Sequence, residues 1–234
     1  MAISFPQLLL AGLVLLGVYI TFRCIRPPNA EPTTVLPNDR VGLGRSRFFF
    51  QFMTVTLGLA HAYLLTTLDG PGSTPAPRRD VCPNPQNLNP TLFTWAAYPL
   101  SLLLVLLVAG SCRLYAFATL GSSFTFKLAP PKKLITTGMY AYVQHPSYTA
   151  AILNVLATLL LFARPDAALA CWLPPAAMPR ALPVFGLVLV GWSVVMLRAL
   201  AERIEVEEGM MEQTFGDEWR AWHQRTPRFI PCFF

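Results

Sequence analysis

The polar residues able to do chemistry crowd into the C-terminal half of the chain. Gly121-Ser122-Ser123-Phe124-Thr125 comes first, then Leu134-Ile135-Thr136-Thr137-Gly138-Met139-Tyr140 and Gln144-His145-Pro146-Ser147-Tyr148. Farther on stand Arg203-Ile204-Glu205-Val206-Glu207-Glu208, Phe215-Gly216-Asp217-Glu218-Trp219 and Thr226-Pro227-Arg228-Phe229-Ile230-Pro231. A guanidinium at Arg203 can grip a carboxylate with two parallel hydrogen bonds. Glu207 lies one helical turn on, where a carboxylate suits hydroxyl or ammonium donors. Tyr140, His145, Ser147 and Tyr148 add further donors and acceptors. The five cysteines show no CxxC or His/Cys spacing, so no metal site is expected. No Ser-His-Asp arrangement is visible either.

Each piece also has an ordinary structural explanation. His145-Pro146 can simply start a helix, because proline suits the first turn. Arg203 and Glu207 can be a solvated i,i+4 pair, and Arg113 an anchor that snorkels to an interface. Phe215-Gly216-Asp217 reads as a helix stop followed by an N-cap for a short helix over 218–224. The ordered co-occurrence of the pieces is what sets this half apart.

The elements that must position these groups are set by composition. The chain has 234 residues, 54% hydrophobic and only 13% charged, with a mean hydropathy of +0.47. A soluble domain carries about a quarter charged residues, so this chain is built for a different solvent. Crossing about 30 Å of hydrocarbon takes roughly 20 helical residues. Residues 3–22, 48–68, 92–112 and 146–163 come near that length, and 181–197 is bracketed by Arg180 and Arg198. Five spans are expected, the first uncleaved because its arginines follow it. The apolar stretch 167–179 is broken by three prolines and reads as an interfacial turn. His61, inside the second tract, is either a functional group or a neutral imidazole bonded to a neighbouring helix.

Five arginines follow the first span, three lysines the third and five arginines the fifth, all on one side of the membrane in a five-span arrangement. The positive-inside rule makes that side cytosolic, with the N-terminus outside and the C-terminus cytosolic. Nine of the twelve acids fall there too, seven of them after the fifth span. The pI near 9.3 is thus a matter of topology, and no nucleic-acid partner is implied. Cys82 and Cys171 fall together on the non-cytosolic side. They can pair, although separate core or interfacial cysteines are the favoured reading.

The order of motifs from 110 to 231 resembles the isoprenylcysteine carboxyl methyltransferase family of integral-membrane methyltransferases. Its pattern runs Leu-Val-Thr-x-Gly-x-Tyr, Arg-His-Pro-Ser-Tyr, Arg-x-x-x-Glu-Glu, Phe-Gly-x-x-Tyr and Val-Pro-x-x-x-Pro. Here the matching stretches are 134–140, 144–148, 203–208, 215–219 and 226–231. Departures are Gln144 for the arginine, Ala150 for a glycine, and Trp219 and Trp222 for late tyrosines. Losing the arginine removes a cation near the implied cofactor pocket.

The resemblance implies an all-α integral membrane protein of the endoplasmic reticulum. It would have about five transmembrane helices and a cytosolic C-terminal helical cap over the cofactor site. Residues 1–109 would supply N-terminal helices, and 110–234 the methyltransferase core. The implied methyl donor is S-adenosyl-L-methionine, and the acceptor is the C-terminal carboxylate of a prenylated cysteine in processed CaaX proteins. Cofactor contacts carry over to Leu134, Ile135, Tyr140, His145, Pro146, Ser147, Tyr148 and Glu207, and the substrate contact to Arg203. An α-carboxyl group, with a pKa of about 3.5, is already ionised at neutral pH, so no general base is needed. Methylation of a phospholipid or other lipid amine, as in related enzymes, would need one, a role open to His145. An NADPH-dependent sterol-reductase-like protein or an inactive scaffold are the remaining alternatives. The prenyl chain calls for an apolar groove among spans two to five, open sideways to lipid. Membrane lipid is therefore a second expected partner, and nothing in the sequence demands an oligomer.

Overall fold

In hydrocarbon every backbone N–H and C=O must find its partner within the chain, so the long apolar tracts have little choice but to be helical. The computed structural model of the protein describes residues 4–30, 43–67 and 81–229, with side chains from 47 onward in the second segment. Glu31, Asp39, Arg40, Arg78 and Arg79 lie outside the described residues, as do the end of the closing motif at 230–231 and the side chain of Arg45. Six α-helices are described: α1 Phe5–Ile25, α2 Leu43–Thr67, α3 Ala97–Leu120, α4 Pro146–Phe162, α5 Met178–Phe215 and α6 Asp217–Arg225. Short 3₁₀ turns join them, and no strand occurs among the described residues.

Among the described residues four stretches are long and apolar enough to cross a membrane: Phe5–Ile25, Arg47–Thr67, Ala97–Ser123 and Pro175–Phe215. The fourth expected span, α4, has 17 residues, about 26 Å at 1.5 Å each, a little less than the hydrocarbon thickness.

Helix α1 sits against both α2 and α3, and α3 packs along α4. Small residues permit the close approach. A Cβ at Gly58 would stand 2.2 Å from Val18 of α1, and one at Gly110 of α3 would stand 2.4 Å from Ile20. Leu10, Val14, Leu57, Leu64, Leu106 and Leu161 fill the space between the four helices. Asn154 of α4 donates to the Leu106 carbonyl (3.1 Å), so its buried amide is bonded across to α3. Helix α5 differs. None of its apolar membrane-length window is buried, and its buried residues are Arg203, Ile204 and Met210 near the far end.

Two expected boundaries move. The third span is 97–120 rather than 92–112, because Leu92 and Phe93 belong to a 3₁₀ turn, Pro90–Phe93, folded onto α2. There the Leu92 carbonyl accepts a hydrogen bond from His61 Nε2 (3.2 Å), and the imidazole stacks on Phe93 at 4.4 Å. His61 is thus a buried core histidine bonded to a neighbouring segment. The second shift is in α5, which does not stop near 197 but runs on for 38 residues to Phe215.

At the end of the bundle away from α6, the α2–α3 and α4–α5 connections are joined. Cys82 and Cys171 form a disulfide, against the favoured reading of separate cysteines. The surrounding groups explain it. Asn84 N–H donates to the Cys171 carbonyl (3.0 Å), Asn87 Nδ2 to the Leu173 carbonyl (2.7 Å), and Asn89 Nδ2 to Asp166 Oδ2 (3.1 Å). Arg164 forks onto the same Asp166 at 2.8 and 2.7 Å. The stretch 167–179 is indeed a pair of turns, Ala168–Trp172 and Pro175–Ala177.

Candidate functional site

At the opposite end, the polar clusters meet around the N-terminus of α4. Pro146 occupies the first helical position, where its missing N–H costs nothing, and His145 is the N-cap residue. The His145 side chain does not cap; it turns into a cleft. Before α4, Gly138 takes a left-handed φ of 62°, which turns the chain so that Tyr140 packs inward. Gly216, at φ 54°, separates α5 from α6 and folds α6 back so that Trp219 and Trp222 form another wall. Trp222 Nε1 donates to the Tyr140 carbonyl (3.0 Å), closing the wall on itself. Between these walls lies a cleft that is open on one side.

Eight of the nine residues singled out from the sequence line this cleft: Leu134, Ile135, Tyr140, His145, Ser147, Tyr148, Arg203 and Glu207. Pro146 does not; it is buried at the start of α4 and positions its neighbours. Two charged chains organise the polar wall. In one, Tyr148 Oη donates to Glu207 Oε2 (2.6 Å) and accepts from Arg203 Nε (3.0 Å). Arg203 Nη2 also donates to the Phe126 carbonyl. The Nε edge of the guanidinium is therefore already engaged, so a carboxylate gripped through that edge must displace Tyr148. In the other, His145 Nε2 donates to Glu208 Oε1 (3.1 Å), and Arg228 forks onto both Glu208 oxygens at 3.0 and 2.8 Å. Burial, with the charge of Glu207 nearby, pushes the Tyr140 phenol above its ordinary pKa, so it stays protonated.

Three residues have roles that sequence reasoning did not assign. Arg113 is no snorkelling anchor. Its Nε donates to the Cys24 carbonyl of α1 (3.1 Å), and Nη1 to the Ser147 carbonyl (2.7 Å) and Oγ (2.8 Å), with the guanidinium 4.9 Å over the Phe117 ring. One side chain thereby joins α1, α3 and α4. A guanidinium only donates, so it takes a lone pair of Ser147 Oγ and leaves that hydroxyl its own proton to give. Gln144 is the second. Its Nε2 donates to the His223 carbonyl (2.9 Å) and the Thr226 carbonyl, and its Oε1 accepts from His223 Nδ1 (2.8 Å). Its backbone N–H donates to the Pro227 carbonyl (2.9 Å). Where the family pattern has a cation, this chain has a clasp on α6. Burial also lowers the His223 pKa, which favours the neutral ring seen by Gln144. Glu208, the third, was part of a quoted motif, but its partnership with His145 and Arg228 depends on residues 63 and 20 positions away. No spacing rule along one helix finds such partners.

Residues 102–213 match the sequence model of the Isoprenylcysteine carboxyl methyltransferase (ICMT) family. Similar curated proteins include protein-S-isoprenylcysteine O-methyltransferase B of Arabidopsis thaliana, 29% identical over 123 residues, covering 51% of this chain and 52% of that protein. The protein-S-isoprenylcysteine O-methyltransferase of Schizosaccharomyces pombe is 27% identical over 143 residues, 59% of this chain and 52% of its own. The Homo sapiens protein of the same name is 26% identical over 133 residues, 55% of this chain and 39% of its own. The matches thus span about half, or less, of the length of these relatives.

Proposed function

We propose, since residues 102–213 match the model of the isoprenylcysteine carboxyl methyltransferase family, that this chain methylates the C-terminal carboxylate of a prenylated cysteine in processed CaaX proteins. The observation that carries the reading is the convergence of Arg203, Tyr148 and Glu207 at one cleft beside the start of α4. S-adenosylmethionine, when bound, supplies a methyl group on a sulfonium, open to in-line attack by an oxygen nucleophile. The donor set fits such a group. Glu207 and Glu208 offer carboxylates for ribose hydroxyls or an ammonium, Ser147 offers a hydroxyl proton, and Tyr140, Trp219 and Trp222 offer flat apolar walls.

The chain's own task is placement. Arg203 receives the acceptor carboxylate, and Tyr148 holds the guanidinium while Glu207 accepts the phenolic hydrogen bond. The acceptor arrives ionised, so no side chain has to remove a proton from it. Walls formed by α6 and by 120–135 keep bulk water from solvating the nucleophile. His145, tied to Glu208, is not needed as a base in this scheme. The apolar surface of α5, unburied along its membrane-length part, is where a prenyl chain can lie in lipid and still reach Arg203 on the same helix.

Orientation follows from two features at opposite ends of the bundle. Disulfides persist in oxidising compartments, which suits the Cys82–Cys171 end to a lumen. The cation-rich cleft end then faces the cytosol, as expected for a multi-pass protein of the endoplasmic reticulum.

The test is incubation of membranes containing the chain with labelled S-adenosylmethionine and N-acetyl-farnesylcysteine. Base-labile methyl ester is expected. Label in a methylated phospholipid amine, or transfer to no acceptor, would overturn the proposal.

A further inference from the structure

The cleft carries an electrostatic problem that Gln144 does not solve. Two carboxylates, Glu207 and Glu208, line it, and a carboxylate acceptor brings a third negative charge. Glu207 is joined to Arg203 through Tyr148. The amide of Gln144 is neutral, and its oxygen and nitrogen are turned toward His223 and Thr226. Glu208, only 12% exposed, is met from the far side by Arg228, whose Nε and Nη2 contact both oxygens at 3.0 and 2.8 Å. The backbone holds that arginine in place. The His145 N–H donates to the Arg228 carbonyl (2.9 Å), next to the Gln144–Pro227 bond. Thus the residue that follows Gln144 pins, by its main chain, the arginine that neutralises the carboxylate bonded to its side chain.

We propose that Arg228 is a positioning residue for the acceptor. From the C-terminal strap it cancels the charge of Glu208, and so restores to the cleft the cation that the family pattern places at position 144. This rests on the carboxylate-methylation reading above. The fork suits the task, since a bidentate guanidinium fixes both oxygens of Glu208 and leaves one of them to hold His145. With Arg228 gone, Glu208 presents an uncancelled negative charge to an anionic acceptor and a neutral one is indifferent to the change. The two kinds of ligand therefore separate an electrostatic role from a merely structural one.

The experiment uses the full chain in membranes, with N-acetyl-farnesylcysteine as acceptor and its uncharged carboxamide as competing inhibitor. Arg228→Gln is expected to raise the acceptor KM about tenfold, while the S-adenosylmethionine KM does not rise and the carboxamide Ki stays within about twofold. Arg228→Lys keeps the charge and is expected to recover most of the acceptor affinity. Adding Gln144→Arg to Arg228→Gln is expected to lower the acceptor KM again. An unchanged acceptor KM in Arg228→Gln overturns the proposal, as does a carboxamide Ki that rises in parallel. The relocation is also overturned if the double variant keeps the wild-type S-adenosylmethionine KM yet recovers no acceptor affinity. Absence of methyl ester from the wild-type chain is a different failure, that of the functional reading itself, and the proposal falls with it.

Discussion

Replacing Tyr148 by phenylalanine removes one oxygen atom and tests the central linkage of the cleft. That oxygen donates to Glu207 at 2.6 Å and accepts from Arg203 at 3.0 Å, so it bridges the residue assigned to the acceptor and the one assigned to the donor. Phenylalanine keeps the ring and its stack on His145, 5.5 Å between centroids, so packing is little disturbed. Each lost bond involves a charged partner, and such bonds contribute about 1.5–3 kcal/mol. Water entering through the open side of the cleft offsets part of this. The net loss is then about 2–3 kcal/mol, or about 30- to 150-fold in kcat/KM for methyl transfer. Initial rates of labelled methyl-ester formation give the comparison, with thermal unfolding in detergent as a check on folding. A Tyr148→Phe enzyme within about threefold of wild type refutes the linkage. So does strict additivity with Glu207→Gln, because residues joined by a hydrogen bond must couple.

Arg203→Lys removes the planar fork that reaches Tyr148 and the Phe126 carbonyl together, and about a tenfold or greater loss of turnover is expected. Full turnover by the lysine variant would sink the fork's role. Serine at both Cys82 and Cys171 should cost about 2–4 kcal/mol, read as a lower unfolding temperature, because the bond closes a long loop. Thiol labelling of those two positions should require prior reduction. Burial alone would raise the Asp166 pKa, but hydrogen bonds from Arg164 and Asn89 outweigh it and hold the carboxyl below its ordinary value. A depressed carboxylate contributes stability above its unfolded pKa of about 4 and loses it as pH falls through the folded value. Melting temperature should therefore drop below about pH 4, and Asp166→Asn should flatten that dependence.

Much of the architecture was legible because composition reports the solvent. A chain with 13% charged residues announces hydrocarbon, and apolar runs of membrane length must be helical there. The spacing of Arg203, Glu207 and Glu208 likewise placed them on one helix, which the structure bears out in α5. Failures came where an apolar residue served packing rather than lipid contact. Leu92 and Phe93 look like the start of a span but are buried against His61 and α2. Hydropathy cannot separate those two fates, since both are dry.

The sequence by itself determined the solvent, the helical class and the polar residue types gathered in the C-terminal half. Only the tertiary structure decided who meets whom. It joined Cys82 to Cys171 across 89 positions, turned Arg113 inward to Ser147, and spent Gln144 on α6. The reason is physical. Burial and helicity are properties of a segment and its medium, whereas a hydrogen bond or disulfide needs two atoms within a few ångströms. That proximity exists only after α1, α3, α4 and α5 have been set against one another and the chain has turned back at Gly216.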